Sequence, residues 1–197
     1  MNKKYLLIAG LFLFLYFFIK KVPELYDHYK TGVKEPVGQT VNGKKQGEWV
    51  TYFVKGDTSY IQTYKDDLRH GRAIGYYPSG KVRGKSTWKD DHYIDSTIFY
   101  FSNGKINSEE WYDQNGKAQG IFKIYHDNGR LSQIGKHVDG KFDDTIEVFF
   151  PNGKLSKLWI YKDKVRTGEW KYYDSTGKLN ATELYRNDSL ISKNNGR

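Results

Sequence analysis

The chain has no cysteine. That excludes disulfides, thiol catalysis, cysteine-containing zinc sites and a lipid anchor built on an N-terminal cysteine. Methionine occurs once and alanine is scarce. The five histidines, His28, His70, His92, His126 and His137, share no metal-ligand spacing. There is no G-x-S-x-G elbow, phosphate-binding glycine loop or dinucleotide fingerprint, so no motif points to an enzyme. Acid pairs stand at Asp66-Asp67, Asp90-Asp91, Glu109-Glu110 and Asp143-Asp144. Two of them fall at one recurring turn position, where aspartate bonds its own backbone, and no calcium loop is spelled out. No metal and no cofactor is expected.

What is abundant is aromatic. Phe, Trp and Tyr make 17% of 197 residues, and 20 glycines supply turns. Aromatic and β-branched residues favour strands, so composition predicts an all-β chain. The net charge is +9. It is spread along the sequence rather than gathered in a stripe, which argues against nucleic-acid binding.

The N-terminus differs from the rest. "MNKKYLLIAGLFLFLYFFIKKVP" carries an uncharged run from Tyr5 to Ile19 between two lysine pairs, and Pro23 ends it. Fifteen residues give about 22 Å of helix. This is short for a bilayer, but lysine snorkelling and the two flanking tyrosines extend it. No small-residue cleavage site follows. Residues 1–21 therefore read as an uncleaved transmembrane anchor, with Tyr5, Leu6, Phe12, Phe14, Tyr16, Phe18 and Ile19 in the lipid. Residues 22–38 read as a linker, 39–190 as the folded domain and 191–197 as a polar tail. The expected location is a bacterial cytoplasmic membrane, with the domain on the outer side.

From residue 50 on, one turn recurs: "YPSGKV", "FSNGKI", "HDNGRL", "FPNGKL", "DSTGKL". Its glycines, with one more, are Gly56, Gly80, Gly104, Gly129, Gly153 and Gly177, spaced 24, 24, 25, 24 and 24. A fixed period of this size marks a repeat architecture. Four residues before each glycine stand Tyr52, Tyr76, Tyr100, Tyr125, Phe149 and Tyr173. Eight after it stand Tyr64, Trp88, Tyr112, His137, Tyr161 and Tyr185. Each copy reads as a β-hairpin, and a second turn such as "KDD" or "RND" hands the chain to the next copy. The predicted fold is an elongated antiparallel meander of about six hairpins, held by stacked aromatic columns. The lysine or arginine after five of the six glycines reads as a solvated turn residue. The segment after Tyr185 reads as frayed. Alternation sets the residue three before each glycine on the face opposite the Tyr52 column. That ladder, Phe53, Tyr77, Phe101, His126 and Phe150, is the expected partner-binding surface.

"GRAIGYYPSGKV" from Gly71 and "GEWKYYDSTGKL" from Gly168 resemble the bacterial variant of the MORN repeat, and "GEWVTYFVKGD" from Gly47 follows with Asp57 in place of lysine. The resemblance spans about residues 40–190. Such repeats occur in YwqK-type antitoxins, which implies a non-enzymatic module that captures a toxin-like protein partner. Two alternatives fit an anchored repeat sheet. One is a scaffold or accessory subunit of an envelope membrane complex; the other is a surface that binds lipid or glycan.

Overall fold

A computed structural model describes residues 33–196. The run read as a membrane anchor lies outside them. Among the described residues no helix is long and apolar enough to cross a membrane.

The described residues form fifteen strands: β1 (Val33–Val41), β2 (Lys44–Phe53), β3 (Thr58–Lys65), β4 (Leu68–Tyr76), β5 (Val82–Lys89), β6 (His92–Tyr100), β7 (Ile106–Tyr112), β8 (Ala118–Tyr125), β9 (Leu131–Val138), β10 (Lys141–Phe149), β11 (Leu155–Lys162), β12 (Val165–Arg166), β13 (Gly168–Tyr173), β14 (Leu179–Arg186) and β15 (Ser189–Asn195). All lie in one antiparallel sheet, and each pairs with its neighbours in sequence. β12 and β13 are one strand interrupted at Thr167, next to the left-handed Gly168. The predicted all-β hairpin meander is therefore the observed one. The array also extends past its six hairpins at both ends. β1 begins inside the segment read as linker and pairs with β2. β15 occupies the segment read as frayed and tail, and pairs with β14. The reason is local: Asn187 and Asp188 take positive φ and fold the chain back.

Two turn types alternate, one along each edge of the sheet. In the glycine turn, the residue three before the glycine donates its N–H to the carbonyl of the residue after it. Its own carbonyl accepts the glycine N–H. At Phe150 both bonds are 2.8 Å. This is a type I turn closed by a residue in the left-handed region, and all six repeat glycines have φ between 79° and 102°. The other edge carries two-residue turns with both residues at positive φ: Asn42-Gly43, Asp66-Asp67, Asp90-Asp91, Asp139-Gly140, Asp163-Lys164 and Asn187-Asp188. These are type I′ turns, in which aspartate and asparagine are among the tolerated residues. One copy breaks the rule. Between β7 and β8 a glycine turn at Asp113–Lys117 replaces the two-residue turn and adds a residue. That insertion is the single 25-residue spacing.

A third signal lies nine residues before each glycine. Gly47, Gly71, Asp95, Gly120, Asp144 and Gly168 all have positive φ, from 57° to 88°. Each pairs directly with an aromatic of the Tyr64 column, as in Gly71–Trp88 and Asp144–Tyr161. Register shifts beside this position, between Gln62 and Tyr64 and between Asp143 and Glu147, mark a bulge in each repeat.

The sheet has one packed face. Its most buried column stands seven residues before each glycine: Ala73, Thr97, Phe122, Ile146 and Trp170 are at most 7% exposed. The Tyr64 column joins it, and rings run from strand to strand through Phe122, His137, Phe142, Tyr161, Trp170 and Tyr185 at centroid spacings of 4.5–5.7 Å. Among the described residues no second layer covers them; the contacts run between neighbouring strands. Glycine makes the burial possible. A Cβ on Gly135 would stand 2.2 Å from Ile146 Cδ1 and 2.8 Å from Phe122 Cε1, so both side chains lean over bare backbone. Phe99 covers Gly84 and Trp49 covers Gly38 in the same way.

Candidate binding surface

The second face is built from the other half of each strand. Its central row can be followed by direct pairing across the sheet: Val37, Val50, Ile61, Ile74, Lys85, Ile98, Glu109, Lys123, Ile134, Glu147, Leu158, Lys171 and Thr182. The first four are aliphatic. From Lys85 onward aliphatic and charged residues are interspersed. Trp111 and Ile121, at 45% and 56% exposed, are the large apolar side chains most open to solvent on the middle strands. The Tyr52 column lies on this face at the strand ends, half-buried. Tyr125 there donates to Glu109 at 3.0 Å, which with burial raises the Tyr125 pKa. The two aromatic columns thus sit on opposite faces, whereas the sequence reading stacked them together. The register shift beside each glycine turn decides this: between the pairs Thr51–Tyr60 and Tyr52–Thr58 the second strand carries one extra residue, Ser59, which reverses the alternation from Tyr52 to Tyr64.

The aromatic face holds its polar groups close. Lys45 sits over Trp49 and Tyr64, Arg69 lies 3.8 Å above Trp88, and Arg166 lies 4.6 Å above Tyr185. These cations and the rings Tyr93 and Phe142 share one repeat position, eleven before the glycine. Burial pushes Tyr60 and Tyr161 up to about 12. Tyr112 is pushed up further by burial and by its bond to Glu110. Burial opposes ionisation of Glu183, but bonds from Tyr172, Lys193 and Tyr185 outweigh it and hold this carboxyl below its usual range. His137 stacks on Phe122 and Phe142, and burial lowers its pKa. It fills an aromatic slot, as its column predicts. Among the described residues no three histidine or acidic side chains converge to hold a metal.

The residues expected to bind a partner lie at one edge. Phe53, Tyr77, Phe101, His126 and Phe150 each open a glycine turn and are half-buried. Two of them tie one repeat to the next: Tyr77 Oη donates to the Tyr100 carbonyl at 2.7 Å, and His126 Nε2 donates to the Phe149 carbonyl at 2.9 Å. The row following the glycines is also less solvated than its sequence suggests. Lys105, Arg130 and Lys154 donate to turn carbonyls of the next copy, at Asn128, Asn152 and Thr176. Asn103, Asn128 and Asn152 do the same at 2.9 Å. A recurring Asn two residues ahead of Lys or Arg was the available signal for this lattice. It marks a side chain that caps its own turn and reaches the next one.

Comparison with protein families finds the MORN repeat variant at residues 69–90 and 166–187. The two segments run from the strand after a type I′ turn, through the glycine turn, to the next type I′ turn, so each covers nearly all of one period. The other copies share the geometry of the matched MORN segments. No curated protein matches the chain. MORN repeats are in general protein- and lipid-binding modules rather than catalytic ones.

Proposed function

We propose that this protein is a non-enzymatic, membrane-anchored MORN-repeat module that captures a protein partner on its sheet, in the manner of an antitoxin or immunity protein. The observation that carries this reading is the division of one single-layered sheet into a packed aromatic face and a face of interspersed aliphatic and charged residues. Such a face offers area and pattern to a macromolecule. The anchor and the location outside a bacterial cytoplasmic membrane rest on the Tyr5–Ile19 run between its lysine pairs. The type of partner rests on the resemblance to YwqK-type antitoxins.

The test is affinity capture with the full-length chain in mild detergent, followed by mass spectrometry. A small soluble protein held in fixed stoichiometry, and encoded beside this chain, supports the reading. Retention of integral membrane proteins alone overturns it in favour of an envelope scaffold. Retention of anionic vesicles with no protein overturns it in favour of a lipid-binding role.

A further inference from the structure

The mixed face is not uniform, and one part of it is unfinished. Between β8, β9 and β10 lies an open depression of about 240 Å³, lined by Ile121, Ile134, Lys136, Asp144, Thr145 and Glu147. It sits at the bulge between Asp143 and Glu147, where β9 and β10 lose register. Ile121 on its rim is 56% exposed, and Trp111, on the neighbouring β7, is 45% exposed. Glu147 pairs in register with Ile134 on one side and Leu158 on the other, so its carboxylate rises between two aliphatic side chains. Among the described residues it forms no ion pair. The other lining carboxylate is engaged, since Asp144 Oδ1 accepts from Thr145 N at 2.8 Å. A half-buried carboxylate with no ion pair, set among Ile121, Ile134 and Leu158, offers a cation a partner in an otherwise apolar surround.

We infer that this patch, Trp111, Ile121, Ile134, Glu147 and Leu158, is where the partner docks, and that the partner presents a basic residue flanked by apolar ones. The inference rests on the capture reading above. A lysine or arginine fits the chemistry: its stem lies along Ile121 and Ile134 while its charge meets Glu147. The partner's neighbouring apolar side chains cover Trp111 and Leu158. Lys136 borders the same depression and disfavours a basic segment laid over it, so the cation enters from the Glu147 side.

The overall charge makes the test discriminating. A chain of net +9 attracts acidic peptides by long-range steering, so a preference for a basic peptide has to come from the patch. Two fluorescent seven-residue peptides, each with a single central lysine or glutamate flanked by leucines and otherwise built of glycine and serine, are titrated against the full-length protein in mild detergent. The lysine peptide is expected to bind about ten-fold tighter, and Glu147→Lys is expected to abolish or reverse that preference. Trp111→Ser should weaken the lysine peptide about five-fold or more. Glu48→Lys, the same charge change on the same face but distant on β2, should leave the preference intact. Circular dichroism melts of all three variants should match the parent, because each side chain stands on the open face. Tighter binding of the glutamate peptide, or an equal effect of Glu48→Lys and Glu147→Lys, overturns the assignment. If affinity capture finds a stoichiometric partner while the peptides show no preference, the docking site falls and the function stands. If the preference appears and no partner is captured, the patch binds basic peptides, but the capture reading falls and the docking role with it.

Discussion

The two faces of this sheet come from the same strands, yet they do different work. On one face glycine alternates with rings: Gly135 lies under Phe122 and Ile146, and Gly84 under Phe99. On the other, each position carries a side chain of its own, and charge follows aliphatic with no cover. A single-layered sheet cannot bury both faces. This one concentrates its stability on one face by leaving space for large residues to lean across strands, and the other face is free for recognition. The two edges repeat the contrast. The glycine-turn edge is laced from copy to copy by Asn, Lys and Arg. The type I′ edge is tied by aspartate, as where Asp91 accepts from the Arg69 backbone and guanidinium at 3.0 and 2.8 Å.

The largest way to break the contrast is Phe122→Ala on the packed face. Loss of a ring that is 2% exposed should cost about 3–5 kcal/mol in urea unfolding, whereas Trp111→Ala on the mixed face should cost less than about 1. Equal losses would mean that both faces bear the fold. Gly135→Ala comes next, at about 1–3 kcal/mol, because its methyl meets Ile146 and Phe122 in a site with no slack.

Proton linkage sharpens the same comparison. Tyr60 and Tyr161, on the packed face, ionise near 12 rather than 10. Above pH 10 the unfolded chain loses these protons first, so their contribution is full below 10 and is lost as pH rises toward 12. Melting temperature should fall steeply over that window. His137 acts at the other end. Its folded pKa lies below the usual 6.5, so the unfolded chain takes up the proton first and stability falls as pH drops below that value. His137→Phe should flatten part of the acid limb of the melting curve. The smallest effect is at the edge: Lys154→Ala removes an exposed bond to the Thr176 carbonyl and should cost about 1 kcal/mol or less.

The period, the glycine turns and the hairpins were legible because they depend on local backbone conformation. A residue that must take positive φ is glycine, asparagine or aspartate wherever it falls, so the columns at Gly56 and Gly47 stand out in one sequence. The half-copies β1 and β15 were harder to see, since each lacks the aromatic that marks a full unit. The partner-binding ladder was expected from strict alternation. The structure places Phe53, Tyr77, Phe101, His126 and Phe150 at turn openings, where backbone bonds and copy-to-copy contacts occupy several of them.

The sequence by itself determined the all-β class, the repeat and the positions of the repeat's glycine turns, because each of these follows from the conformational limits of a few residues. The tertiary structure decided which face is packed, which lysines are lattice and that the half-buried Glu147 stands between aliphatic side chains. Those depend on how a bulge shifts alternation and which strands it sets side by side. A linear pattern of residue types does not carry that information. Only the pairing of residues far apart in the chain brings Ile134, Glu147 and Leu158 into one row.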